Sequence, residues 1–369
     1  MKPVLSILLF TLLLNYSQAQ LSLTMLPSGG NKKATVSEQI GLTQVSIHYD
    51  RPGVKGRDGK VWGDLVHVGF TDPEFGTSKS SPWRAGANEN TTIEFSTDVM
   101  IEGQPLPAGK YGFFIAYDPT ECTLIFSKNS GSWGHYFYSE KEDALRIKVK
   151  SQATDHSVEW LKYEFNQQTE NSAVLSLQWE KRAIPFKIEV DYYKTQLESF
   201  RQELRTEKGF FWLSWNQAAD WCLQRNTNLE EALLWADSAT SAGFSGDRIF
   251  GTWATKARIL QKLGRTDESA AVMKKALPLG DMIDLHQYGR QLLNLKMNKE
   301  AFDVFKLNFD KNPNQFTTSM GLARGYSALG DFKNALKYIN QALPLAPDEQ
   351  NKKNVQALID KLKEGKDIN

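Results

Sequence analysis

The spacing that most constrains this chain lies near its end. Ala301 is followed 34 residues later by Ala335, and Pro313 is followed 34 residues later by Pro347. Small residues and chain-breaking residues held at one common period make MNKEAFDVFKLNFDKNP (297–313) and ALGDFKNALKYINQALPLAP (328–347) successive copies of one unit. Gly330 marks the turn before the second helix of the last copy. A unit of this size cannot bury its apolar face alone, so it must stack on its neighbours.

Looser copies precede these two: ATKARILQKLGRTDESAAVMKKAL at 254–277, and NLEEALLWADSAT at 228–240, itself preceded by FFWLSWNQAADWCLQ. Ala257, Gly289 and Ala323 fall on the first helices, where only a small side chain lets neighbouring helices approach. From about Trp212 to Leu362 the chain therefore resembles tetratricopeptide repeats, with about four helical hairpins. The residues after Asp348 are expected to form a solvating cap helix. The resemblance implies a concave surface that holds peptides or helices, and hence a protein or peptide partner.

The period changes in the first half. Val45, Ile47 and Tyr49 alternate, as do Ile93 and Phe95, and further runs follow in YGFFIAY, CTLIFSK, ALRIKVK, VEWLKYEF, AVLSLQW and PFKIEV. Gly, Pro, Asn and Asp separate about nine candidate strands, and no long helical period interrupts them. The expected fold is an all-β antiparallel sandwich or barrel followed by an all-α tetratricopeptide-like superhelix. The expected boundaries are 33–190 for the β domain, 191–210 for a linker helix, and 211–364 for the repeats with their cap.

The opening MKPVLSILLFTLLLNYSQAQ places Lys2 before a short apolar run and small residues at Ser17 and Ala19, the order of a secretory signal peptide over residues 1–19. Export to the periplasm or beyond is the expectation. The run from Val4 to Leu14 is too short to cross a bilayer, and no later stretch predicts a membrane span. Lys and Arg number 44 against 43 Asp and Glu, which leaves no basic excess of the kind nucleic-acid binding requires. The two cysteines, Cys122 and Cys222, fall in different halves and read as separate buried thiols.

Several motifs in the first half carry a second resemblance. They are HYDRPGVKGRDGKVWGDLV from His48, PWRAGANENTTIEF from Pro82, the turn ending LPAGKY at Tyr111, the pair Trp133 and Gly134, and later DALRIKVK and VLSLQWEK. Together, from about Lys33 to Val190, they are similar to the bacterial family catalogued as domain of unknown function 2911. That resemblance implies no particular activity and is compatible with export and with fusion to helical repeats. The stretch between Val66 and Trp83 is longer than the family's connection, which would reshape any opening beside Arg84.

A site in this half is expected where Arg51, Lys55, Arg57, Arg84, Asn88 and Glu89 converge. Arginine's planar fork suits a carboxylate or phosphate, and Asn can orient a ligand through both donor and acceptor, so a small anionic or sugar-like ligand would fit. The competing reading is that Arg84 and Glu89 form structural pairs that tie loops to the sandwich. Trp62, Trp83 and Trp133 read first as core or edge packing, with a sugar-stacking platform as the alternative. There is no H-E-x-x-H, C-x-x-C, G-x-S-x-G or S-x-x-K, so neither a metal nor a local serine nucleophile is predicted, and no cofactor is expected. Binding rather than catalysis is the leading expectation. A periplasmic hydrolase of glycans or peptides, and a structural envelope-assembly protein, are the alternatives.

Overall fold

The computed structural model describes residues 30–369, and the expected signal peptide at 1–19 lies outside them. The chain divides into two compact units, with the division between Gln196 and Leu197.

The first unit contains β1 (Lys32–Ile40), β2 (Thr43–Arg51), β3 (Thr92–Phe95), β4 (Val99–Ile101), β5 (Gln104–Leu106), β6 (Gly109–Ala116), β7 (Glu121–Ser127), β8 (Asp143–Lys150), β9 (Gln152–Asn166) and β10 (Ser172–Glu189). They form two antiparallel sheets, ordered β1-β2-β3-β6-β7-β8 and β5-β4-β10-β9. Period-two alternation explains why one face of the sheet packs inward: Val45, Ile47 and Tyr49 on β2 are buried, while Gln44 and His48 on the opposite face are exposed and Ser46 is half-buried. Leu161 and Tyr163 of β9 and Leu177 and Trp179 of β10 close the same core from the other sheet. A buried clamp joins the layers. Tyr49 accepts from the Tyr163 amide at 3.1 Å, their rings meet edge to face at 4.7 Å, and the Tyr163 hydroxyl donates to the Ala85 carbonyl at 2.8 Å.

One strand departs from the sequence expectation. The runs AVLSLQW and PFKIEV read as two strands, yet they form the single 18-residue β10, which changes register around Glu180. Pro185 falls after the last pairing with β9, at Ala183, and before the first with β4, at Ile188, so its missing N–H breaks no ladder bond.

The residues between β2 and β3 carry no long regular element. Short bridges pin them to the sheets: Gly53 to Trp160, Val68 to Tyr117, and Trp83 to Ile115. This is the segment that holds the long connection from Val66 to Trp83.

The helices are α1 (Tyr192–Glu203), α2 (Trp212–Arg225), α3 (Leu229–Ala239), α4 (Phe250–Lys262), α5 (Thr266–Ala276), α6 (Met282–Asn294), α7 (Asn298–Lys311), α8 (Phe316–Ala328), α9 (Phe332–Ala342) and α10 (Glu349–Lys363). Four hairpins, α2/α3, α4/α5, α6/α7 and α8/α9, stack in order, and α10 packs on α9. The small residues do what the spacing implied: Ala257, Ala301, Ala323 and Ala335 are all buried at helix contacts. Asp281, Asp331 and Asp348 cap α6, α9 and α10 by accepting from backbone amides. The stack is uneven. α5 meets α6 through far fewer residues than α3 meets α4 or α7 meets α8. After α10 the chain returns to α8, where Arg324 Nη1 donates to the Ile368 carbonyl at 2.7 Å and Ser327 Oγ to Asp367 Oδ1 at 2.6 Å.

Candidate functional site

The first candidate site lies on the sandwich, in the segment between β2 and β3 and in the turn before β8. Arg84 is held on three sides. Its Nε donates to His135 Nδ1 at 3.1 Å, its Nη1 donates to the Asn88 carbonyl at 2.8 Å, and its guanidinium lies over the rings of Trp133 and Tyr136 at 5.6 and 5.1 Å. Accepting at Nδ1 leaves the His135 proton on Nε2. Burial first, then the charge of Arg84 and the neighbouring His67, push the His135 imidazole down to about 4, so it is neutral at pH 7. Gly134 makes this packing feasible: it sits at φ +62°, and a Cβ there would stand 2.9 Å from Arg84 Nη1.

Beside Arg84 the residues from Asn88 to Glu89 reach across to the start of the chain. Asn88, itself left-handed at φ 54°, accepts from Asn31 Nδ2 at 3.2 Å, and Glu89 pairs with Lys33 Nζ at 2.8 Å. Glu89 also lies within hydrogen-bonding reach of Asp50, which is buried and whose Oδ1 has no partner among the described residues. Burial, reinforced by Glu89, raises the Asp50 carboxyl to about 6, whereas the bonds from Lys33 and then Asp50 hold Glu89 down at about 2. The two carboxyls thus share one proton, which resides on Asp50 at mildly acid pH.

The six residues expected to converge divide into two groups. Arg84, Asn88 and Glu89 cluster as described. Arg51, Lys55 and Arg57 bond elsewhere: Arg51 Nε to the Leu161 carbonyl at 2.8 Å, and Arg57 Nη2 and Nε to the Gly53 and Val54 carbonyls at 2.6 and 2.9 Å. Lys55 accompanies them, its amide donating to Glu159 Oε1 at 3.0 Å and its Nζ to the Gly30 carbonyl at 3.3 Å. Two residues of the cluster, Asp50 and His135, were not singled out in the sequence.

Trp62 and Trp83 are packing residues, so the three tryptophans form no common platform. Trp83 is buried and stacks on buried Trp179, while Trp62 packs edge-on against both and donates Nε1 to the Trp179 carbonyl at 3.2 Å. Of the three, Trp133 alone is open, at 53% exposure. No group of three or more potential metal ligands occurs among the described residues, and no helix among them is long and apolar enough to cross a membrane.

The second candidate site is the face of the repeats lined by α4, α6, α8 and α10. A groove of about 510 Å³ runs past Arg258 and Gln261 of α4 to Gln291 and Leu295 of α6. Another, of about 400 Å³, lies between His286, Gln287 and Arg290 of α6, Thr317 and Arg324 of α8, and Asn354 of α10. Burial and then Arg290 and Arg324 push the His286 imidazole down to about 4. Burial and, after it, the charge of Arg290 pull the Arg324 guanidinium down to about 10, against the opposing charge of Asp367.

The fold and these two faces define the protein as an antiparallel β-sandwich domain joined to a helical-repeat domain. Residues 31–188 match the model of the family described as protein of unknown function (DUF2911), and 250–278 and 320–349 match that of the tetratricopeptide repeat. The chain is thus an N-terminal domain of that family fused to tetratricopeptide repeats. No curated protein matches it. Three solved structures are similar to part of this chain. MamA residues 41–end from Desulfovibrio magneticus RS-1 is 19% identical, covers 41% of this chain and 92% of its own, and has a TM-score of 0.28. TTC0263, a thermophilic repeat protein of Thermus thermophilus, is 17% identical over 47% of this chain and 91% of its own, with a TM-score of 0.31. YrrB, described as a repeat protein with an unusual peptide-binding site, is 16% identical over 46% of this chain and 88% of its own, with a TM-score of 0.30.

Proposed function

We propose that this chain is an exported, non-catalytic interaction scaffold of the bacterial envelope, whose repeats bind a peptide or an exposed segment of another protein along the face of α4, α6, α8 and α10. One observation carries the reading: that face lines two grooves with hydrogen-bonding side chains, of which Arg290 makes no ion pair or hydrogen bond among the described residues. A face built for internal stability would pair its charges or keep them apart. Crosslinking and mass spectrometry on an envelope extract, with the chain from Gln20 onward as bait, tests it. Crosslinks should concentrate on α4, α6 and α8. A pattern indifferent to those helices, or unchanged by Arg290→Glu, would sink the proposal.

Export rests on the order of charge, apolar run and small residues in Met1–Gln20. N-terminal sequencing of the protein recovered from its producing cells should find Gln20 first; an intact Met1 in the mature pool would remove export from the reading.

A second reading, a hydrolase at the sandwich, has the Asp50–Glu89 carboxyl pair in its favour, since two such groups split between acid and base forms are what glycan hydrolysis uses. Asp50 is buried, however, and Glu89 is already paired with Lys33, so neither is presented to a substrate as they stand. Assay of polysaccharide and peptide substrates with the wild type and Glu89→Gln decides it.

A further inference from the structure

The grooves leave unexplained the end of the first hairpin, where α2 begins, α3 ends and α4 begins. The chain enters α2 through GFFWL (209–213), and the phenyl rings of Phe210 and Phe211 stand there 69% and 66% exposed, with Leu213 exposed beside them. Neither ring belongs to the apolar cluster that α1, α2 and α3 bury together. The turns ahead of α6 and α10, each Leu-Pro-Leu, expose one leucine apiece, Leu279 and Leu345, at 39% and 40%, so the two adjacent rings are not the habit of a repeat turn. The turn that carries them is tightly held. Thr206 Oγ1 donates to the Glu203 carbonyl at 2.7 Å and accepts from the Lys208 amide at 3.3 Å, and the Gly209 carbonyl accepts from Trp215 Nε1 at 2.8 Å. A Cβ on Gly209 would stand 2.0 Å from the Leu204 carbonyl oxygen, so the turn closes this far only with glycine. Half-buried Trp215 then packs on Phe244 of the turn between α3 and α4, ring centroids 5.3 Å apart, and joins the two turns into one knob. Arg205 precedes the first turn and Arg248 ends the second. Both are exposed, and neither guanidinium has an ion pair or hydrogen bond among the described residues.

We propose that this knob docks the chain on the surface of a phospholipid bilayer, with Phe210 and Phe211 entering the boundary of the acyl chains and Arg205 and Arg248 meeting lipid phosphates. Rings that stand outward without walls around them cannot enclose a small ligand, but they lose their water when they enter a soft apolar phase. Aromatic side chains favour the membrane interface, where an apolar body and a polar surrounding are both satisfied. A guanidinium without a counter-charge is matched by phosphate, which accepts from two of its N–H groups at once. A phospholipid surface supplies both partners together, the apolar phase for the rings and the anion for the arginines. No helix among the described residues is long and apolar enough to cross a membrane, so the contact is made from one side. The fixed turn adds to this, because rings already held outward lose little freedom on insertion. The knob lies at the helix ends and shares no residue with either groove, so the inference stands apart from the peptide-binding reading.

The test sediments the chain from Gln20 onward with vesicles of phosphatidylglycerol mixed with phosphatidylethanolamine, and with vesicles of phosphatidylcholine alone. Both should carry the protein down, the first more strongly. Phe210→Ser and Phe211→Ser should each weaken partitioning onto either vesicle by about tenfold. Arg205→Gln combined with Arg248→Gln should weaken it by about fivefold on the phosphatidylglycerol vesicles, with a smaller effect in high salt. All of these side chains lie outside the core, so the variants should melt like the wild type. An environment-sensitive dye on Phe211→Cys should shift to the blue when vesicles are added, and the same dye on Asn340→Cys, exposed on α9, should not. Absence of sedimentation with either vesicle overturns the inference. So does sedimentation that the two Phe→Ser variants leave unchanged, or an equal response of both dyes, which would mean indiscriminate adhesion. A photocrosslinker at position 211 that captures a protein from envelope extract, with no vesicle binding, would give the rings to a protein contact and overturn it as well.

Discussion

Phe305 of α7 packs against the backbone of Gly289 of α6, so close that a Cβ on Gly289 would stand 2.5 Å from Phe305 Cε1. Gly321 of α8 approaches the same ring, its would-be Cβ 2.7 Å from Cδ1. The ring is fully buried between two helices that carry hydrogen at the points of contact.

Gly289→Ala should therefore destabilise the repeat unit by about 1–3 kcal/mol through overpacking, despite the better helix propensity of alanine. Urea denaturation read by circular dichroism gives the value. Combining it with Phe305→Leu should cost less than the sum of the two single changes. Strict additivity would mean that the ring and the glycine are not in the contact described.

The carboxyl pair makes stability depend on pH in a determined direction. Asp50 is raised from 3.8 to about 6, so the folded state holds a proton that the unfolded state has released between those values. Stability therefore falls as pH rises from about 4 through 6 on account of this group. Asn cannot ionise, so Asp50→Asn should be the more stable form at pH 8, by on the order of 1 kcal/mol, and should lose the advantage near pH 4. Denaturation at the two pH values checks this; a variant weaker at pH 8 would show that the ionised carboxylate is the stabilising form.

Removing Arg84 tests the order of causes acting on His135. Burial is the first of these and Arg84 the second, so Arg84→Gln should raise the His135 value from about 4 while leaving it below the ordinary 6.5. Imidazole proton shifts in a pH titration report it. No movement would mean that the charge of Arg84 does not reach the ring. A return all the way to 6.5 would mean that burial is not the main cause.

Both cysteines should be inert in the native protein. Cys122 and Cys222 are free and buried, and burial raises both thiols, Cys222 to about 11, which suppresses the nucleophilic thiolate. A disulfide-exchange reagent should label neither thiol until denaturant is added, and then both. Rapid labelling of the folded chain would place one of them at the surface.

The fold was largely legible in the sequence because its two periods are local. Alternation at Val45, Ile47 and Tyr49 needs only neighbouring residues, and the 34-residue spacing of Ala301 and Ala335 needs only one further copy. The continuity of β10 through Pro185 was not legible, because it depends on partners that arrive from β4 and β9. The sandwich cluster was legible in part. Arg84, Asn88 and Glu89 are close in sequence, whereas Asp50 and His135 join them through the folding of two long connections that carry no periodic signal. Trp62 and Trp133 illustrate the same limit, since each sits in a Trp-Gly pair and only the tertiary fold makes one core and the other surface.

The uneven stacking of the hairpins bears on how such a chain changes length over evolutionary time. Its far end is closed, with α10 on α9 and Asp367 and Ile368 bonded back to α8, so a unit appended there would first have to break those bonds. The junction of α5 and α6 has the least to lose when it is parted. Duplication or deletion of a hairpin is thus tolerated best at that junction, and relatives with more or fewer repeats are expected to differ there while keeping the two ends alike.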